Sequence, residues 1–154
     1  MSLRIICLGK TKEDWLKDGI AEYRKRLSTS WKVPLTELDD VSLKTAGSVS
    51  AVKDKEAIIL TKAIQTGEYV IALDERGTAF SSVDFSTFLQ EKLAQADIVF
   101  VIGGVYGLAE TFCQRADLLL SLSAFTFSHQ MVRLILMEQL YRAWTISAGK
   151  TYHY

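Results

Sequence analysis

The sequence predicts a single α/β domain of three layers, a mostly parallel sheet with helices on both faces. Three observations lead there. Short apolar runs at residues 3–8, 33–38, 69–73, 98–102 and 118–122 alternate with longer stretches in which apolar residues recur at helical spacing. The run at 98–102 is apolar at every position, as a strand buried on both faces requires. The length, 154 residues, suits one core and leaves no room for a second, and no repeat, linker or low-complexity stretch divides it.

Taken in order, residues 3–8 form a β-rich run that stops at Gly9. Thr11 and Asp14 have the spacing of a capping box, and Trp15, Ile20, Tyr23 and Leu27 follow at helical intervals. A second strand is expected over 33–38, then a polar loop over 39–50 rich in Ser, Thr and Gly, the best candidate for a mobile segment. Residues 52–66 read as a helix closed by Gly67 in a left-handed cap. The strand at 69–73 runs into an Asp74-Glu75-Arg76-Gly77 turn. Ser81 and Asp84 form another capping box, opening a helix with Phe85, Phe88, Leu89 and Leu93 on one face. Gly103-Gly104-Val105-Tyr106-Gly107 leads from the 98–102 strand into a helix at about 108–116, and the last helix is expected over 130–146.

Composition narrows the function. Apolar residues make up 49% of the chain and charged residues 23%, an ordinary globular balance. Eighteen basic residues face eighteen acidic ones, which excludes a protein that holds nucleic acid by bulk charge. Local balances are mildly basic at both ends: seven Lys/Arg against four acids over 10–32, and three against one over 129–154. Solvated helix faces explain that equally well. Cys7 and Cys113 stand alone in apolar surroundings, and with two histidines there is no zinc set, so no metal is expected. The first residues are too short an apolar run for a signal peptide or membrane span, and the expected location is cytoplasmic.

Ligands of open α/β sheets gather at the carboxyl ends of the strands. Three such ends stand out, at 73–77, 102–107 and 122–129, each with glycine or small polar residues that leave the main chain free to bind a flat ring. The glycine stretch is neither a GxGxxG nor a P-loop pattern, and no lysine follows to reach a phosphate. Taken singly, each loop is as easily a plain strand-to-helix turn. Ser128 is placed to cap the last helix, which puts His129 in its first turn, where the helix dipole disfavours the imidazolium. The last helix is apolar nearly all round, which means burial in a core or at a subunit interface. Its exceptions are Arg133, which needs a carboxylate, a phosphate or an interface, and Glu138 with Arg142, an i, i+4 pair. In the tail, Tyr152 and Tyr154 have the shape to stack on a base and His153 the donors to bind one, although short tails are usually frayed.

These residues together resemble one family. Ile102-Gly103-Gly104, Gly107-Leu108, then Leu120-Ser121-Leu122-Ser123-Ala124-Phe125-Thr126-Phe127, His129, Val132-Arg133, the run 138–144 and Tyr152-His153 are similar to the RlmH family of SPOUT-class methyltransferases. The likeness covers essentially the whole chain and is most specific from Ile102 onward. It implies an α/β SPOUT fold with a C-terminal trefoil knot, an exception to the rule that chains do not thread. It implies S-adenosyl-L-methionine held by Leu73, Gly103, Gly104, Leu122, Ser123, Ala124, Phe125, Thr126, Phe127 and Ser128. It also implies a homodimer joined through the last helix, in which the tail of one subunit completes the site of the other. The reaction would be methylation of N3 of a pseudouridine of 23S ribosomal RNA in the ribosome, with His129, Arg142, Tyr152 and His153 as catalytic candidates. Other readings are a methyltransferase of the same class for another RNA nucleotide, or a non-catalytic module that binds the cofactor and RNA. The chain departs from the family pattern at Val105-Tyr106, where Pro-Glu is common, at Ser128 and Gln130, where proline flanks the histidine, and at Tyr154, where the family carries a basic residue.

Overall fold

The computed structural model describes every residue from Met1 to Tyr154. Five parallel strands lie in the order β2-β1-β4-β3-β5, with β1 at Leu3–Leu8, β2 at Leu35–Leu38, β3 at Tyr69–Ala79, β4 at Ile98–Ile102 and β5 at Leu118–Ser121. Helices α1 (Asp14–Leu27), α4 (Ser82–Leu93) and α6 (His129–Ser147) cover one face. Helices α3 (Val49–Ala63) and α5 (Glu110–Arg115) cover the other, and α2 (Leu43–Ala46) is a single turn before α3. The expected three layers are present, built by alternation along the strands. Ile5 and Cys7 pack toward α1 and α6, while Ile6 and Leu8 pack toward α3 and α5. Every residue of β4 is buried, as its unbroken apolar run foretold.

Two of the expected caps form. Ser81 accepts the Asp84 N–H at 3.0 Å and Ser128 accepts the Met131 N–H at 3.2 Å. The Thr11 box does not. Thr11 is buried, its N–H donates to Glu37, and its hydroxyl accepts from Arg133 at 3.0 Å, so α1 begins at Asp14 with no side-chain cap. The segment expected as a polar loop over 39–50 holds α2 and the start of α3. Ser42 accepts the Thr45 N–H and Ser48 the Ala51 N–H, each at 3.1 Å, so its serines are helix caps rather than loop residues. Helix α3 ends at Ala63, three residues early, because Arg4 donates to the Ala63 carbonyl at 2.7 Å and Ile64 turns extended. Gly67, with φ of 87°, serves the turn before β3 instead of capping the helix.

The remaining boundaries shift for local reasons. Strand β2 starts at Leu35 rather than residue 33, since Pro34 has no N–H to give the ladder. Helix α5 is shorter than expected because Leu108 and Ala109 are used as buried, non-helical residues. The largest difference is β3. Residues 74–77 are not a simple turn: the strand bulges out, resumes, and pairs with β5 a second time, so that both Leu73 and Thr78 face Leu120. Gly77 makes this possible, because a Cβ there would lie 2.5 Å from the Leu119 backbone.

Candidate functional site

The carboxyl ends of β3, β4 and β5 surround one large cavity of about 820 Å³, within the range of sites for small organic ligands. The β3 bulge supplies one wall, residues 102–108 a second, and residues 122–129 the third. Leu73, Gly103, Gly104, Leu122 and Ser123 line it, and so do Phe125, Thr126, Phe127 and Ser128. Ala124, expected with them, does not. Its neighbours set its orientation: Ser123 Oγ accepts the Phe125 N–H at 3.0 Å in a tight local turn. Thr126 donates to Glu75, joining the third wall to the first across the mouth.

The lining combines apolar surface with a charged rim. Ile102, Leu120 and Val132 give flat apolar surface, and Asp74, Glu75 and Glu110 bring carboxylates to the rim. Arg76 binds Asp74 at 2.8 Å and reaches Glu110 at 3.4 Å. That guanidinium holds the Asp74 carboxyl below the usual carboxylate range. The wall at Gly103 and Gly104 is bare main chain. Behind it there is no space for a Cβ: one on Gly103 would meet the Gly107 carbonyl carbon at 3.0 Å, and one on Gly104 would meet Glu56 at 2.8 Å. The loop is held in shape by the Gly107 N–H, which donates to the Gly104 carbonyl at 3.0 Å.

His129 opens α6 and lines the same cavity. Burial lowers its pKa first, and the positive charges of Arg133 and Lys12 add to the effect. The ring is therefore neutral at pH 7, as its place at the helix start suggested. Arg133 is fully buried, and it finds the carboxylate its position demands. Its Nη1 lies 3.3 Å from Glu37, and its Nη2 donates to the Leu8 carbonyl at 2.7 Å. The arginine thus ties α6 to the ends of β1 and β2.

Arg142, Tyr152 and His153 lie elsewhere. None of them lines the cavity. They gather at the far end of α6, where the tail folds back on the helix. Arg142 donates to Glu138 Oε1 at 2.6 Å, and Tyr152 donates to the same oxygen at 3.2 Å. The Arg142 guanidinium sits 4.9 Å above the Tyr152 ring, which packs edge-on against Tyr141 with centroids 4.7 Å apart. Arg142 Nη1 is 3.1 Å from His153 Nδ1. An arginine can only donate, so Nδ1 is the acceptor and the His153 proton resides on Nε2. Burial pushes the Tyr152 phenol up, helped by Tyr23 and Glu138, so it stays a neutral donor.

Sequence reasoning missed several of these partners. Tyr23, whose hydroxyl lies 3.4 Å from that of Tyr152, looked like a core residue of its helix. Glu56 stands in the charged stretch Asp54-Lys55-Glu56, yet it is 3% exposed. Arg76 and Glu110 are brought to one rim only by the bulge in β3. No local pattern marks any of them.

Comparisons with known proteins agree along the full length. The family described as "Predicted SPOUT methyltransferase" matches residues 1–153. Among curated proteins, the ribosomal RNA large subunit methyltransferase H of Carboxydothermus hydrogenoformans is 43% identical, over 99% of both chains. Its namesake in Streptococcus uberis is 42% identical over 99% of both. That of Parabacteroides distasonis is 39% identical over 100% of this chain and 99% of the other. The chain belongs to the SPOUT methyltransferase family, within its ribosomal RNA large subunit methyltransferase H branch.

Proposed function

We propose that this chain methylates N3 of a pseudouridine in 23S ribosomal RNA within the assembled ribosome, using S-adenosylmethionine, and that it works as a homodimer in the cytoplasm. One observation carries the reading. The three strand-end loops that match the family converge on a single cavity of suitable size, in a chain that matches large-subunit RNA methyltransferases from end to end. No helix is long and apolar enough to cross a membrane, and no cluster of ligating side chains offers a metal site. The trefoil knot belongs to the same proposal, supported by the family match over residues 1–153.

In this reading the bare main chain at Gly103–Gly104 and the 122–128 loop hold the flat and polar parts of the cofactor. Bound S-adenosylmethionine supplies an electrophilic methyl carbon on a sulfonium. The protein's task is then mainly alignment of N3 with the methyl–sulfur axis. The N3–H must also lose its proton, so donors to the flanking carbonyls and a nearby acceptor lower the barrier. Arg142 and the His153 Nε2–H are donors held by each other, and Tyr152, which donates its hydroxyl to Glu138, positions the Arg142 guanidinium over its ring. With Nδ1 of His153 engaged, neutral His129 is the side chain left to accept the proton.

The two groups belong to opposite ends of α6. A second copy packed through the half-exposed apolar residues of that helix, such as Ile135, Tyr141 and Trp144, would bring the tail cluster of one subunit to the cavity of the other. Substrate assignment is tested by mass-spectrometric mapping of 23S RNA from a strain lacking the gene. The expected result is one pseudouridine that loses its methyl group; an unchanged RNA would overturn the assignment. Ribosomes should accept methyl label from the purified protein far better than naked 23S RNA, and equal labelling would remove the requirement for the assembled ribosome.

A further inference from the structure

Glu56 of α3 is the buried carboxylate with an unpartnered oxygen. It is 3% exposed, Oε2 accepts the Val41 N–H at 3.2 Å, and Oε1 has no hydrogen-bond partner. An orphaned buried oxygen is costly and rare. Its carboxyl lies flush against the cavity wall: a Cβ on Gly104 would stand 2.8 Å from Oε1, 3.0 Å from Oε2 and 3.3 Å from Cδ. Lys53, one turn earlier on α3, lines the cavity, whereas Glu56 itself does not. Burial pushes the Glu56 carboxyl up, the Val41 N–H partly offsets this, and neighbouring Asp40 adds to the rise.

The other side of the carboxyl leads to His129. Val41 follows Asp40, whose carboxyl rests against Gly9, 3.2 Å from where a Cβ would lie. From Gly9 the chain runs to Lys10 and Lys12. The Lys10 carbonyl accepts from Gln130 Nε2 and the Lys12 N–H donates to Gln130 Oε1, both at 3.1 Å. Gln130 is the neighbour of His129, and its Nε2 lies 3.4 Å from the imidazole Nε2. A chain of neighbouring segments remote in sequence therefore links the Gly104 wall to the histidine.

We propose that Glu56 is a positioning residue that couples the 103–107 loop to the 39–42 segment, so that filling the cavity sets the surroundings of His129. The inference rests on the cofactor reading above. Coupling of this kind travels through groups that cannot move independently. Any shift of Gly104 toward Glu56 has to be taken up by the carboxyl and by the Val41 N–H it holds.

Hydrogen exchange with and without S-adenosylmethionine tests this in the full-length wild type, Glu56→Ala and Glu56→Gln. In the wild type the cofactor should protect residues 103–107 and also 39–42, although nothing in 39–42 lines the cavity. In Glu56→Ala, protection at 103–107 should persist, with affinity lowered roughly five- to tenfold, and protection at 39–42 should vanish. Glu56→Gln keeps the shape and the acceptor for Val41, and should restore both. Protection at 39–42 that survives in Glu56→Ala, or is missing from a cofactor-binding wild type, overturns the proposal. A wild type with no protection anywhere removes the cofactor reading and this inference with it. A second readout is a double-mutant cycle on cofactor affinity. Gly104→Ala should weaken binding at least about fivefold more in the wild type than in the Glu56→Ala background, and equal losses in both would overturn the coupling.

Discussion

At its first turn α6 presents His129 to the cavity beneath a Ser128 cap. More than three turns later the same helix presents Arg142 to a folded-back tail. Thirteen residues separate the two side chains, roughly 20 Å along the axis. The first end is closed within one chain. Its loops meet β3 and β4, and Arg133 anchors it to β1 and β2. The second end satisfies its own charges, with Glu138, Arg142, Tyr152 and His153 bound to one another, and faces no cavity lined by His129. The contrast teaches that the cavity and the tail cluster are built at separate places on one helix; in the proposed dimer the cavity of one copy would meet the cluster of the other.

Four experiments break or sharpen that contrast. The largest effect belongs to the anchor. Arg133→Ala leaves Glu37 with only the Thr11 N–H and takes the guanidinium donor from the Leu8 carbonyl, and should lower stability by about 3–5 kcal/mol in denaturant unfolding; a loss under about 1 kcal/mol would mean that the first end stands without it. Next comes Arg142→Ala, expected to reduce methyl transfer about 100-fold while cofactor affinity by calorimetry changes little. A matching loss of affinity would place the cluster on the cofactor side. Mixing Arg142→Ala with His129→Ala protein extends this test. If each site combines the two subunits, random pairing restores about a quarter of wild-type activity, and no recovery would put both residues in one chain's site.

The two smaller effects concern the first turn alone. Ser128→Ala removes the acceptor for the Met131 N–H and should cost about 1 kcal/mol by thermal unfolding, with a greater effect on cofactor affinity than on the tail. The pH test is the gentlest. The pKa of His129 is lowered from 6.5 in the fold, so between the two values the unfolded chain binds more protons. Stability should therefore fall as pH drops below about 6.5 and hold steady above it. In His129→Gln that slope should flatten, and an unchanged slope would assign it to other groups.

Legibility in the sequence followed the range of the forces involved. The caps at Ser81 and Ser128, the buried β4 run and the Glu138–Arg142 pair involve residues within four positions of one another, and all were legible. Thr11 misled because its partners, Arg133 and Glu37, lie far along the chain and outcompete a local cap. The 39–50 segment misled because composition was read where capping geometry mattered: Ser42 and Ser48 each start a helix. Among the candidate site residues, those that line the cavity were legible as strand ends and glycine turns, which have local signatures, whereas no local pattern sets Ala124 apart from its lining neighbours.

What the sequence by itself determined was the alternation of strands and helices, the three strand-end loops, the capped histidine and an arginine in need of a carboxylate. Those follow from hydrophobic period, backbone freedom and the cost of burying charge. Only the tertiary structure decided that β3 pairs twice with β5 and pushes its acidic bulge over the cavity. It alone placed Glu56 behind Gly104, and it alone folded Tyr152 and His153 back onto Arg142. Each of these is set by the packing of segments remote in sequence, where many weak contacts choose among arrangements that are locally equivalent.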